Sequence, residues 1–262
     1  MIKPQRTTLI LDSIPLEISY SHKQGSGDLI FFIHGLGCSR EAFLDAWEAP
    51  SLRGYSLLAP DLPGFGDSGR PAEFSYTLED HARLCAALLT GFPRNRLHLA
   101  CHSMGGAVAV LLAEMLPRPP ESLISIEGNL IGADCGVSRR TVSVSYEHFR
   151  TRLLEEILRT AGRSPERGSQ LWARWIRKAD PLAFNQSARS LVDWSDSGML
   201  LSKFLALKCR RVYFYGELQR FLPVLDRLGD IPSVAISGSG HFPMNDNPAE
   251  FYHKMAEWLK TP

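Results

Sequence analysis

Leu97-His98-Leu99-Ala100-Cys101-His102-Ser103-Met104-Gly105-Gly106-Ala107 runs from an apolar, strand-like segment into a helix-like one, with a serine at the junction. A serine hydroxyl is a weak nucleophile at neutral pH, so chemistry through it needs a nearby base and hydrogen-bond donors for the developing negative charge. A sharp strand-to-helix turn can supply such an environment: it projects the hydroxyl above the sheet, and the first N–H of the new helix points at the reacting centre. Ser103 is the candidate nucleophile and the N–H of Met104 a candidate oxyanion donor. The usual pattern at such an elbow is G-x-S-x-G. Here Cys101 stands at the first glycine, while Gly105 and Gly106 keep the other side of the turn open.

Working upstream, Leu29-Ile30-Phe31-Phe32-Ile33 reads as a strand buried on both faces and runs into His34-Gly35-Leu36-Gly37. Further on come Asp61-Leu62-Pro63-Gly64-Phe65-Gly66-Asp67-Ser68-Gly69 and, near the C-terminus, Gly240-His241-Phe242-Pro243. In this order the motifs resemble those of the α/β-hydrolase superfamily. The resemblance makes His34-Gly35 the oxyanion loop, with the N–H of Leu36 as the second donor, and His241 the general base. His34 and His102 are expected to fill the loop and elbow surroundings, and Asp67 and Ser68 to bond local backbone.

The carboxylate partner of the base departs from the family's usual place. After the strand expected at Arg211 to Tyr215, similar proteins commonly read G-x-x-D, whereas this chain has Gly216-Glu217-Leu218-Gln219, and an amide does not stabilise an imidazolium. Some members, certain haloalkane dehalogenases among them, carry the acid one strand earlier. That position corresponds to Glu127, at the end of the Ser122 to Ile126 run and 24 residues after Ser103. Glu217 and Asp226 are fallback candidates, and Asp134 a weaker one.

The pattern of elements predicts an α/β fold: a mostly parallel sheet flanked by helices, led by an antiparallel pair at Thr7 to Leu11 and Leu16 to Ser21. Strand signals vanish between about Leu130 and Leu207. Apolar residues at helical spacing replace them, which predicts core segments 1–129 and 208–262 around a helical cap at 130–207. Trp172, Trp175, Phe184 and Trp194 are candidates for lining a pocket under the cap, with helix packing as their alternative role.

Composition is that of an ordinary globular protein: 262 residues, 44% hydrophobic, 22% charged, net charge +1. No basic run or stacking pattern supports nucleic acid binding, and no apolar stretch is long enough to span a bilayer. The stretch Met1 to Thr7 lacks the apolar core of a secretory signal, and the five scattered cysteines, without C-x-x-C, read as reduced thiols, so a cytoplasmic location is expected. Cys101 as nucleophile is disfavoured by its place on the strand.

The expected activity is hydrolysis of a small carboxylic ester or related acyl compound through an acyl-enzyme, with no metal or organic cofactor. Thioesters, lactones, amides and vinylogous carbon-carbon bonds stay open as substrates. The alternative is a non-catalytic ligand receptor or interaction protein on the same fold. Oligomeric state is not legible in the sequence.

Overall fold

A computed structural model describes residues 2–261; Met1, where the leading stretch begins, and Pro262 lie outside the described residues. Among the described residues, eight strands form one sheet: β1 (Gln5–Leu11), β2 (Ile14–Lys23), β3 (Leu29–Ile33), β4 (Ser56–Pro60), β5 (Leu97–His102), β6 (Ser122–Ile126), β7 (Arg210–Gly216) and β8 (Ser233–Ile236). Their order across the sheet is β1-β2-β4-β3-β5-β6-β7-β8. β1 and β2 are antiparallel, β2 meets β4 antiparallel, and every pairing from β4 to β8 is parallel.

The apolar runs of the central strands follow from this arrangement. Side chains alternate across a strand, and both faces of a parallel sheet are covered, so neither face tolerates a polar row. In β3, Leu29, Phe31 and Ile33 enter one core with α1 (Leu78–Thr90) and α2 (Met104–Met115). Ile30 and Phe32 enter the other, against the C-terminal helix Pro248–Lys260. Thr77 caps α1, its side chain accepting from the N–H of Asp80. Leu78, Ala82, Leu84, Cys85, Leu88 and Leu89 are the apolar residues that this helix buries, whereas Ala87 is only half-buried.

The chain reverses its direction of travel across the sheet between β3 and β5, which are neighbours. Loops at the carboxyl ends of strands part at such a switch point and leave a crevice. In register, Ile33 pairs with Cys101, His102 with Ile126, and Ile126 with Phe214, so these carboxyl ends lie level with one another. Leu36, Ser103 and Glu127 follow directly beyond them.

Between β6 and β7 the described chain is helical: α3 (Gly136–Val142), α4 (Leu154–Gly162), α5 (Arg167–Ile176), α6 (Pro181–Asp196) and α7 (Met199–Ala206) are its longer elements. A π-type turn at Phe149–Leu153 leads into α4, a detail that side-chain periodicity does not register. The final helix, α8, is Pro248–Lys260.

The turn between β5 and α2 depends on Gly105. A Cβ there would lie 2.3 Å from the carbonyl oxygen of Ile33, a backbone atom that has no room to yield. Gly105→Ala is expected to destabilise the protein by about 1–3 kcal/mol through this overlap, although alanine is the better helix former. A urea midpoint below that of the wild type checks the sign.

Candidate active site

Ser103 sits at the tip of the β5–α2 turn with φ 53° and ψ −123°, in the left-handed half of backbone space that a non-glycine residue enters only when its surroundings enforce it. Two contacts lock the tip. The Ser103 N–H donates to the Ile126 carbonyl at 3.0 Å, and the N–H of Gly106 to the Ser103 carbonyl at 2.8 Å. Cys101 fits at the departing position because its side chain points into the core shared with α1, where burial pushes its thiol well above the usual range and makes it unavailable as a nucleophile.

Glu127 directly follows β6 in a second left-handed conformation, φ 44°. Its carboxylate is 3% exposed and bonded on both oxygens: Oε1 accepts from the Gly216 N–H at 2.8 Å, and Oε2 lies 2.6 Å from His241 Nδ1. A carboxylate against Nδ1 favours the proton there and leaves Nε2 as the ring's proton acceptor. The fallback carboxylates are elsewhere. Glu217 accepts the N–H of Gly238, Asp226 lies on the short turn Leu225–Arg227, and neither lines the cavity that holds Ser103 and His241; Gln219 does line it.

The hydroxyl of Ser103 does not bond His241. It donates instead to Asn129 Oδ1 at 3.1 Å, and the Asn129 amide is oriented by its Nδ2, which donates to the Asp134 carbonyl at 2.6 Å. Sequence reasoning missed Asn129, because its role arises only from the course of the chain after β6. The same loop explains Asp134. Its Oδ2 accepts from the N–H groups of Leu130 and Ile131, whereas Oδ1 is buried without a partner. Burial foremost, opposed by those two bonds and reinforced by the Glu127 charge, raises its carboxyl from 3.8 to about 6.

A carboxyl raised in the folded state binds its proton more tightly there than in the unfolded chain, so its stabilising contribution is present at low pH and is lost as pH rises through about 6. Asp134→Asn keeps an acceptor for Leu130 and Ile131 without the charge. The variant is therefore expected to gain melting temperature at neutral pH relative to wild type, and to gain less near pH 4, as thermal melts across that window would show.

The three buried histidines around the loops are neutral and structural. His34 accepts the Leu62 N–H on Nε2 at 3.0 Å, which leaves Nδ1 to donate to the Gly35 carbonyl at 2.9 Å, and burial lowers it to about 4. His102 Nε2 donates to the His241 carbonyl at 2.8 Å, and burial holds its ring well below the ordinary range. His81 bonds Ser187 on α6 and falls to about 3 for the same reason. In the Asp61–Gly69 loop, Ser68 bonds backbone as expected, donating to the Asp61 carbonyl and accepting from the Ser19 N–H. Asp67 differs. Its side chain pairs with Arg40, whose guanidinium also meets the fully buried Asp61.

Gly35 brings the His34–Gly37 loop against the elbow: a Cβ on it would lie 2.9 Å from both His102 Nδ1 and Ser103 Cβ. Among the described residues, neither the Leu36 nor the Met104 N–H is assigned an acceptor. A cavity of about 610 Å³ opens beside these groups, lined by Leu36, Ser103, Asn129 and His241 from the core and by residues of the helical insertion. Of the four candidate aromatics, only Trp172 lines it. Trp175 is buried and donates to Glu41, Phe184 stacks on Phe149, and Trp194 donates to Glu79 on α1. Among the described residues there is no cluster of three or more potential metal-binding side chains, and no helix long and apolar enough to cross a membrane.

Comparisons with known proteins agree with this architecture. An esterase from Thermogutta terrifontis superposes with a TM-score of 0.77 at 22% identity, covering 98% of each chain, and an esterase from Exiguobacterium antarcticum with 0.78 at 18%, covering 98% of this chain and 100% of the other. In sequence, an uncharacterized protein of Mycobacterium tuberculosis is 27% identical over 90% of this chain and 76% of its own length. Lipase 1 of Psychrobacter immobilis is 35% identical over a shorter stretch, 37% of this chain and 31% of the lipase. The profile of the Alpha/beta hydrolase family matches residues 30–254, and the chain belongs to that family.

Proposed function

We propose that the protein is a serine hydrolase that cleaves small carboxylic esters through an acyl-enzyme, with residues 130–207 serving as a cap over the site. The observation that carries this reading is the Glu127–His241 contact of 2.6 Å beside a cavity that also contains the strained Ser103. His241 Nε2 takes the Ser103 proton as the oxygen attacks the ester carbonyl, and the negative charge gathers on the carbonyl oxygen between the N–H groups of Leu36 and Met104. His241 then gives its proton to the departing alkoxide. A water molecule, deprotonated by the same ring, releases the acid and restores the hydroxyl.

For attack, the hydroxyl must leave Asn129 Oδ1 and turn to His241. Catalytic hydrogen bonds are commonly loose or misdirected without substrate and tighten when it binds, so Asn129 serves as the resting partner of the nucleophile. The same bond is the observation that favours a second reading, a ligand receptor that retains the three residues without turning over. Both are tested by one pair of measurements: covalent labelling of the native protein by a fluorophosphonate and turnover of p-nitrophenyl esters of graded acyl length. Labelling with turnover supports the hydrolase. A protein that neither labels nor turns over any ester favours the receptor.

A further inference from the structure

The oxyanion loop is held from two sides. Below, His34 braces the Gly35 carbonyl with Nδ1 and ties the loop to the core by accepting the Leu62 N–H on Nε2. Above, the indole N–H of Trp172 on α5 donates to the Leu36 carbonyl at 2.9 Å. The fit on the upper side is close: Gly37 takes φ +70°, and a Cβ there would stand 2.7 Å from Phe184, 2.9 Å from Ile176 and 3.1 Å from Trp172 Nε1.

The same helix is fastened to the loop of the base. Asp246 accepts the Gly168 N–H of α5 on Oδ1 at 2.7 Å and the Gly240 N–H, next to His241, on Oδ2 at 2.9 Å. Gly168 lies so close to Phe242 that a Cβ would fall 2.2 Å from the Phe242 Cβ. One helix of the insertion thus bonds the loop carrying Leu36 and, through Asp246, the loop carrying His241.

We infer that Trp172 is a positioning residue: its N–H holds the Leu36–Gly37 peptide from above while His34 holds the Gly35–Leu36 peptide, which bears the Leu36 N–H, from below, so that Leu36 is clamped on both sides and stabilisation of the transition state depends on the docked cap. This rests on the ester-hydrolase reading. The Leu36 carbonyl is engaged by the indole, so the role of Trp172 is exerted through the orientation of Leu36. Because oxyanion donors act only over a narrow range of placement, a small shift of the loop is expressed in the chemical step rather than in ground-state binding.

The test is Trp172→Phe, which keeps a ring in the cavity wall and removes the N–H, together with the benzothienyl analogue of tryptophan incorporated at position 172, which keeps the bicyclic shape and removes only the donor. The readouts are kcat and KM for a p-nitrophenyl ester and the affinity for an aryl trifluoromethyl ketone. Ser103 adds to that carbonyl carbon, its proton passes to His241, and the carbonyl π electrons become the hemiketal oxyanion. The expected result for both variants is a fall in kcat of about 10- to 100-fold, a matching loss of ketone affinity and a KM within about threefold of wild type.

A changed KM with kcat and ketone affinity intact would reduce Trp172 to a wall of the pocket and overturn the inference, as would full activity of the analogue if the phenylalanine variant failed to fold. Wild-type protein that neither hydrolyses esters nor captures the ketone would bring down the hydrolase reading as well. An active wild type with indifferent variants overturns this inference alone.

Discussion

Ser103→Ala is expected to lower ester turnover by about 10⁶-fold and to abolish fluorophosphonate labelling. Alanine keeps the Cβ and therefore the backbone demands of the tip. What disappears is the oxygen that attacks, along with its bond to Asn129, an effect of about 1 kcal/mol on stability. Melting temperature close to that of the wild type, with turnover at background, is the expected pair of observations. Retained turnover would remove Ser103 from the chemistry and with it the acyl-enzyme.

Glu127→Gln is expected to cost about 10⁴-fold in kcat, the scale on which an amide in place of the triad carboxylate acts. The reason is local. Glu127 receives two donors, the Gly216 N–H on Oε1 and the His241 Nδ1 proton on Oε2, but glutamine has one acceptor oxygen for both. If the amide oxygen stays on Gly216, its NH₂ faces Nδ1, the imidazole moves its proton to Nε2, and the ring becomes unable to accept from the serine. Glu217→Gln should be mild by comparison, since Glu217 contacts only the exposed Gly238 N–H in a turn outside the cavity. Steady-state rates of the two variants on the same ester decide the matter; a crippled Glu217 variant beside an active Glu127 variant would return the acid to the strand after the insertion.

Much of this was legible in the chain because it was written in backbone demands. An apolar run that alternates into two cores, as Leu29 to Ile33 does, admits few arrangements other than a parallel strand covered on both sides. Gly105 and Gly106 mark where a helix start must pass close to other backbone, whereas the choice of Glu127 rests on the resemblance to members that carry the acid one strand earlier, prompted by Gln219 at the usual place. Strand limits shifted by only a residue or two, as where the strand expected at Arg211 to Tyr215 runs from Arg210 to Gly216, because hydrogen-bond pairing rather than hydrophobicity sets where a strand ends.

The illegible parts depend on contacts between distant segments. Asn129 carried no signal in sequence, and Trp172 was legible as a candidate for the pocket wall but not as the donor to the Leu36 carbonyl; which oxygen each one meets is set only once the chain after β6 folds back over the sheet. Asp67 has a conventional place in its loop, yet it pairs with Arg40 from another loop instead of with backbone. Periodicity identifies the face that a helix buries, not the one carbonyl that its indole will reach.

Ser103 and Glu127 are two of the five non-glycine residues that hold positive φ angles among the described residues. Glycine would adopt these angles at less cost, but it would remove the hydroxyl at one position and the carboxylate at the other. A search for greater thermal resistance that ignores activity can therefore draw on these two positions as readily as on Asp12, Ser13 or Tyr76, and what it gains at these two comes with the loss of the hydroxyl or the carboxylate.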